Sequence, residues 1–109
     1  MDFTGKVALI TGGGGGIGRA TALGFALRGA KVMVVDADAT SGQASADIVA
    51  QRGGTVAFTQ ADVTQSVSVQ DYVKKTMDAY GRIDAFFNNA GIEGHVTPTQ
   101  EYEIGRAHV

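Results

Sequence analysis

Five consecutive glycines, Gly12 to Gly16, followed by Ile17 and Gly18, constrain this chain more than any other feature. The run leaves the apolar stretch Val7-Ala8-Leu9-Ile10 and enters a helix-like stretch over residues 19–28. Glycine gives up the most backbone freedom on folding, so such a run is costly unless bare backbone is needed there. A strand that passes through glycines into a helix brings N–H groups and the positive end of the helix dipole up to a phosphate. A flexible linker shares the composition but lacks apolar segments on both flanks. Strand before and helix after is the context of a phosphate-binding turn.

Apolar and β-branched runs then alternate with helical patterns. Residues 6–10, 31–35, 55–59 and 83–87 read as strands, the second nearly all apolar, as a parallel strand covered on both faces should be. The first helix, over 17–28, is expected to pack through Ala20, Leu23, Gly24 and Leu27, with Gly29 as its C-cap. Thr40 or Ser41 can cap a second helix that runs to about Arg52. Thr64 or Ser66 can cap a third, with Val69, Val73, Met77 and Tyr80 on one face and Gly81 at its end. Residues 88–99 read as loop. Short β-α-β connections mean parallel strands joined by right-handed crossovers. The expected fold class is therefore α/β, the first half of a doubly wound parallel sheet with strand order 3-2-1-4. The topological switch lies between the first and fourth strands, so the glycine run and Asn88-Asn89-Ala90-Gly91 face one crevice.

Composition narrows the function classes. At 109 residues the chain is at most one short α/β domain, and 44% apolar against 18% charged residues permits a buried core. A net charge of −2 without a basic block argues against nucleic acid or an anionic membrane as partner. The absence of cysteine excludes disulfides and thiolate zinc sites, and His95 and His108 have no partners that resemble a metal site. No basic leader or long apolar run is present, so a cytoplasmic protein is expected.

Other residues sharpen the ligand. Gly13, four intervening residues, Gly18 and Arg19-Ala20 come close to a mononucleotide P-loop, but that loop needs Lys followed by Ser or Thr, and Ala20 cannot bind magnesium. Asp36, at the end of the second strand, is where a dinucleotide fold places the acid that accepts ribose hydroxyls. It would also repel a 2′-phosphate. Ala37 after it and Gly15 in the loop offer that phosphate no cation, so NAD is expected rather than NADP. Asp62-Val63 would lie along the adenine, although Asp62 alone suits a helix start equally well. Asn88 can serve as a stitch between loops. Asp84, Lys74, Lys75 and Asp78 read as solvated or fold-supporting.

Together these residues resemble the short-chain dehydrogenase/reductase family. The resemblance rests on residues 6–12, on Gly16-Ile17-Gly18, on Asp36, on Asp62-Val63 and on Asn88-Asn89-Ala90-Gly91, and covers the chain from Phe3 to about Tyr102. It implies a Rossmann fold and an NAD-dependent oxidoreductase acting on a small-molecule alcohol or ketone, homo-oligomeric at full length. It assigns Gly12, Gly16, Ile17 and Gly18 to the pyrophosphate, Asp36 to a ribose and Asp62 and Val63 to adenine. Asn89, Ala90 and Gly91 fall to the ribose on the nicotinamide side. Family members usually carry a hydroxyl or small residue at the position of Gly15, so one phosphate contact is missing.

The family's chemistry uses a Ser, an Asn, and a Tyr followed four positions later by a Lys. Here Tyr72 is followed at that spacing by Thr76, Tyr80 by Asp84 and Tyr102 by Arg106, so no catalytic residue is assigned and the chain alone is expected to be inactive. The alternative is a non-catalytic module that binds NAD or another nucleotide. Residues 1–103 are expected to form a truncated NAD(P)-binding domain. Residues 104–109, Ile-Gly-Arg-Ala-His-Val, equal a translation of a common short-read sequencing adaptor and are expected to be a non-native tail; resequencing the source locus tests this. Truncation would leave Ile83, Phe86 and Phe87 uncovered at an open strand edge and the chain poorly soluble or only partly folded.

Overall fold

The structure, a computed structural model, describes residues 2–62 and 65–89. Strands β1 (Val7–Thr11), β2 (Lys31–Asp36), β3 (Thr55–Gln60) and β4 (Ala85–Asn88) alternate with helices α1 (Gly16–Leu27), α2 (Ala39–Gln51) and α3 (Ser66–Tyr80). The four strands form one parallel sheet in the order β3-β2-β1-β4, as the sequence pattern requires. All four carboxyl ends, Thr11, Asp36, Gln60 and Asn88, therefore open on the same edge.

Strand periodicity divides the core. Ala8, Ile10, Val32 and Val34 point to one face, where Ala22 and Ala26 of α1 and Val49 of α2 cover them. Leu9, Met33 and Val35 point to the other, under Tyr72 of α3 and Ile83. Val69, Val73, Met77 and Tyr80 pack on this second cluster, as the spacing of α3 anticipates.

The contact face of α1 differs in part from the expected one, of which Leu23 packs on the first cluster and Gly24 is half-buried. Gly18, Ala22 and Ala26 are buried, Ala20 is exposed and Leu27 is 52% exposed. The helical period is the anticipated one but its phase is rotated, because the closest approach to the sheet admits only small side chains. A Cβ on Gly18 would overlap the Gly12 carbonyl oxygen and lie 2.8 Å from Gly13 Cα. Gly42 of α2 serves the same end, since a Cβ there would lie 2.6 Å from Phe58 Cζ. Gly29, at φ +98°, turns the chain out of α1 just past the C-cap residue Arg28.

Two caps and one strand boundary also shift. Asp38 caps α2, accepting from the N–H groups of Thr40 at 3.0 Å and Ser41 at 3.2 Å. A carboxylate outcompetes the expected hydroxyls because its charge complements the helix dipole. Gln65 precedes α3 without a side-chain cap, Ser66 is the first helical residue, and Thr64 lies outside the described residues. β4 begins at Ala85 rather than residue 83, because Arg82 forks onto the Asp84 carboxylate at 2.7 and 2.8 Å just before it. Ile83 is nevertheless 3% exposed, and Phe86 and Phe87 are half-buried against the two opposite clusters, so these side chains are covered although β4 is the last strand in the sheet order.

Asp84 closes the foot of β1. Its carboxylate accepts from the Val7 N–H at 2.8 Å, while its own N–H donates to the Val7 carbonyl at 2.9 Å. Arg82 first, with help from the Val7 N–H and against partial desolvation, holds the Asp84 carboxyl below the usual carboxylate range. A depressed folded pKa means stability that is complete above the unfolded value of about 4 and is lost as pH falls through the folded value. Asp84→Asn is expected to flatten the loss of stability below about pH 4, read as urea midpoints across an acid series. An unchanged slope overturns that role.

Candidate functional site

The crevice at the carboxyl edge is built around the first turn of α1. β1 ends at Thr11, Gly12 turns with φ +66°, and Gly15 enters the helix in extended conformation. Within the turn the Gly13 N–H donates to the Val35 carbonyl at 3.2 Å and the Gly15 N–H to the Gly12 carbonyl at 3.3 Å. Arg19 N–H then donates to the Gly15 carbonyl at 2.7 Å, the first helical bond. The N–H groups of Gly16, Ile17 and Gly18 have no acceptor among the described residues, and no side chain caps them. They are the orphan donors every helix start carries, collected at the end of the central strand. The Ile17 side chain is 59% exposed beside them.

The glycines divide by what surrounds them. A Cβ on Gly13 would lie 2.7 Å from Val34 Cγ1, and one on Gly14 2.6 Å from Ser41 Cβ and 2.9 Å from Asp36 Oδ2. A Cβ on Gly15 would meet nothing nearer than the Gly12 carbonyl oxygen at 3.8 Å, and one on Gly16 nothing within 4 Å. Gly13, Gly14 and Gly18 are thus required by the protein's own packing, and Gly15 and Gly16 line open space.

Two acceptor groups flank the turn. Asp36, half-buried at the end of β2, takes the Gly14 N–H on Oδ2 at 2.8 Å and the Asp38 N–H on Oδ1 at 2.9 Å. It is neither a loose surface acid nor a group free to swing, since both oxygens are oriented by backbone. On the opposite side the Asn89 amide donates to the Gly12 carbonyl at 3.1 Å, and Thr11 Oγ1 donates to Asn88 Oδ1 at 2.7 Å. Asn88 is the stitch the sequence suggests; Asn89, the residue just past β4, is itself tied to the glycine turn.

The structure thus brings Gly12, Gly16, Ile17, Gly18, Asp36 and Asn89 together at one edge. Asp62 follows the end of β3 and is exposed; the Ala61 N–H before it donates to the Asp36 carbonyl at 3.1 Å. Val63, Ala90 and Gly91 lie outside the described residues, as do His95, Tyr102 and His108. Among the described residues no cluster of His, Cys, Asp or Glu could hold a metal ion, and no helix is long and apolar enough to cross a membrane. Lys74–Asp78 and Lys75–Asp71 are exposed i,i+4 pairs on α3, far from any chemistry.

The sequence offers Arg19 only in the place of a P-loop lysine and gives Ser45 no role. Arg19 Nε donates to Ser45 Oγ at 2.8 Å, and the buried Ser45 hydroxyl donates to the Gly13 carbonyl at 2.6 Å. The hint lay in the position of Arg19, a cation in the first turn of a helix, where it opposes the dipole.

Comparison with known proteins agrees with this architecture. The sequence model of the short chain dehydrogenase family matches residues 6–106. Levodione reductase of Leifsonia aquatica is 47% identical over 102 residues, which cover 92% of this chain and 38% of that protein. The crystal structure of levodione reductase aligns with a TM-score of 0.79 at 47% identity, over 92% of this chain and 40% of the other. A metagenomic short-chain oxidoreductase solved in complex with NADP aligns with a TM-score of 0.72 at 28% identity, over 76% and 38% of the two chains. The chain thus spans about two-fifths of the length of such relatives. On this agreement of sequence, strand order and crevice, the chain belongs to the short-chain dehydrogenase/reductase family.

Proposed function

We propose that this chain is the cofactor-binding half of an NAD-dependent oxidoreductase that acts on an alcohol/ketone pair. One observation carries the reading. Three adjacent N–H donors, those of Gly16, Ile17 and Gly18, have no acceptor among the described residues, and the same turn holds the Asp36 carboxylate on the Gly14 N–H and the Asn89 amide on the Gly12 carbonyl. That combination suits a diphosphate bridging two riboses. Gly12, Gly16, Ile17 and Gly18 would hold the pyrophosphate, Asp36 the adenosine ribose, Asp62 and Val63 the adenine. Asn89, Ala90 and Gly91 would hold the ribose on the nicotinamide side. The group supplies a site on the nicotinamide ring that gives or takes a hydride. The protein's part here is to bind and orient it, and residues that act on the substrate belong to other segments of a full-length protein.

NAD rather than NADP follows from charge. A 2′-phosphate beside Asp36 would meet a fixed carboxylate and a second one, Asp38, bound to it through backbone at 2.9 Å. The substrate class is taken from the family, and a full-length homo-oligomer in the cytoplasm is part of the same reading. So is the division into residues 1–103 as the nucleotide-binding domain and residues 104–109 as a tail foreign to it.

Calorimetric titration with NAD and NADP tests the reading. NAD is expected to bind and to bind at least roughly tenfold more tightly than NADP, the equivalent of one charged contact. Absence of binding by either dinucleotide overturns the site, and tighter NADP binding overturns the choice between them.

A further inference from the structure

Arg19 spends its guanidinium on the glycine turn rather than on an acid. Beside the Nε bond to Ser45, its Nη2 donates to the Gly14 carbonyl at 3.3 Å and lies 3.5 Å from the Ser41 carbonyl. No acidic partner pairs with it among the described residues. Ser45, fully buried on α2, passes the contact on to the Gly13 carbonyl. Two successive carbonyls of the turn, those of Gly13 and Gly14, are therefore held toward α2 by one fork and one hydroxyl. The N–H of that same Gly14 lies on Asp36.

We propose that Arg19 is a positioning residue for the dinucleotide site, acting through Ser45 and Gly14 to fix the orientation of the Asp36 carboxylate. The inference rests on the reading of this crevice as an NAD site. Gly14 has no side chain to restrain it, and its conformation is set by what grips its two peptide neighbours. With the carbonyl side held by Arg19, the N–H side stays on Asp36 Oδ2, and Asp38 N–H occupies Oδ1. A carboxylate fixed in this way meets the ribose hydroxyls without first having to be ordered. The fork is essential: lysine keeps the charge but cannot serve Ser45 Oγ and the Gly14 carbonyl at once.

Arg19→Lys and Arg19→Met, compared with the parent chain, separate fork from charge. Hydrogen exchange at the Gly14 amide, followed by NMR, is expected to quicken at least roughly tenfold in both variants, while Ala22 and Ala26 in α1 exchange as before. NAD affinity is expected to fall by roughly tenfold in both, the cost of ordering the turn and the Asp36 carboxylate on binding. Ser45→Ala, which removes the relay and keeps the arginine, is expected to give the same Gly14 signature. Unchanged Gly14 exchange in Arg19→Lys overturns the proposal, as does parent-like NAD affinity in Arg19→Lys with weakening confined to Arg19→Met. If the parent chain binds no NAD, the reading of the site fails on its own. The Gly14 amide then still decides whether Arg19 orders the turn.

Discussion

Gly18→Ala is expected to lower stability by about 1–3 kcal/mol, whereas Gly16→Ala, two residues earlier in the same turn, leaves it unchanged or raises it by up to about 1 kcal/mol. Both glycines have ordinary negative φ, so backbone strain does not distinguish them. Their surroundings do. The methyl of alanine at 18 would overlap the Gly12 carbonyl oxygen and crowd Gly13 Cα at 2.8 Å, all backbone atoms that cannot step aside like a flexible side chain. Relief requires α1 to lift from β1, which pulls the Gly12 carbonyl off the Asn89 amide. The methyl at 16 meets nothing within 4 Å, and alanine reduces the freedom of the unfolded chain. Ligand binding should reverse the order of benefit at position 16, because the open space there is where a phosphate would approach the N–H groups. Urea unfolding and NAD titration of the two variants read both effects. Equal destabilisation by the two would refute the division of the run into packing and ligand-facing glycines.

Asp36→Ala is expected to weaken NAD binding roughly ten- to a hundredfold, the worth of one charged hydrogen bond to a hydroxyl. Part of that loss is indirect, since Gly14 N–H and Asp38 N–H lose their acceptor with the carboxylate. The same change removes the nearest charge opposing a 2′-phosphate, so the preference for NAD over NADP is expected to narrow. Asp36→Asn separates the two contributions: it retains one acceptor oxygen but not the charge. Calorimetric dissociation constants for both dinucleotides against the three proteins decide it. A preference for NAD that survives in Asp36→Ala would locate discrimination elsewhere, with Asp38 the adjacent candidate.

How much of this was legible in the sequence depends on what each residue answers to. Strand order and the location of the crevice were legible because apolar periodicity and crossover handedness leave few topologies. Asp36 and Asn88 were legible because chain position alone puts them at strand ends. The buried face of α1 was legible only in part: Leu23 does pack against the core, but Leu27 is exposed, because the helix approaches the sheet so closely that Gly18, Ala22 and Ala26 win by size. The α2 cap was misplaced because Asp38, Thr40 and Ser41 are all capping types, and only geometry shows that the carboxylate serves the other two. The link from Arg19 through Ser45 to the turn was not legible because it ends on backbone carbonyls, which carry no signature in sequence.

The β1–β4 pair has a consequence for length variation in this fold. Ala8 to Thr11 face Ala85 to Asn88 at a constant separation of 77 residues. Side-chain bonds extend that register past both ends, from Val7 to Asp84 and from Gly12 to Asn89, again 77 apart. A slip of one residue would break all three side-chain bonds and exchange Phe86 with Phe87 between the two core faces. An insertion or deletion between residues 12 and 84 must therefore be absorbed in the intervening turns and helix ends. The glycine turn and Asn89 would keep their spacing however long the excursion between them became.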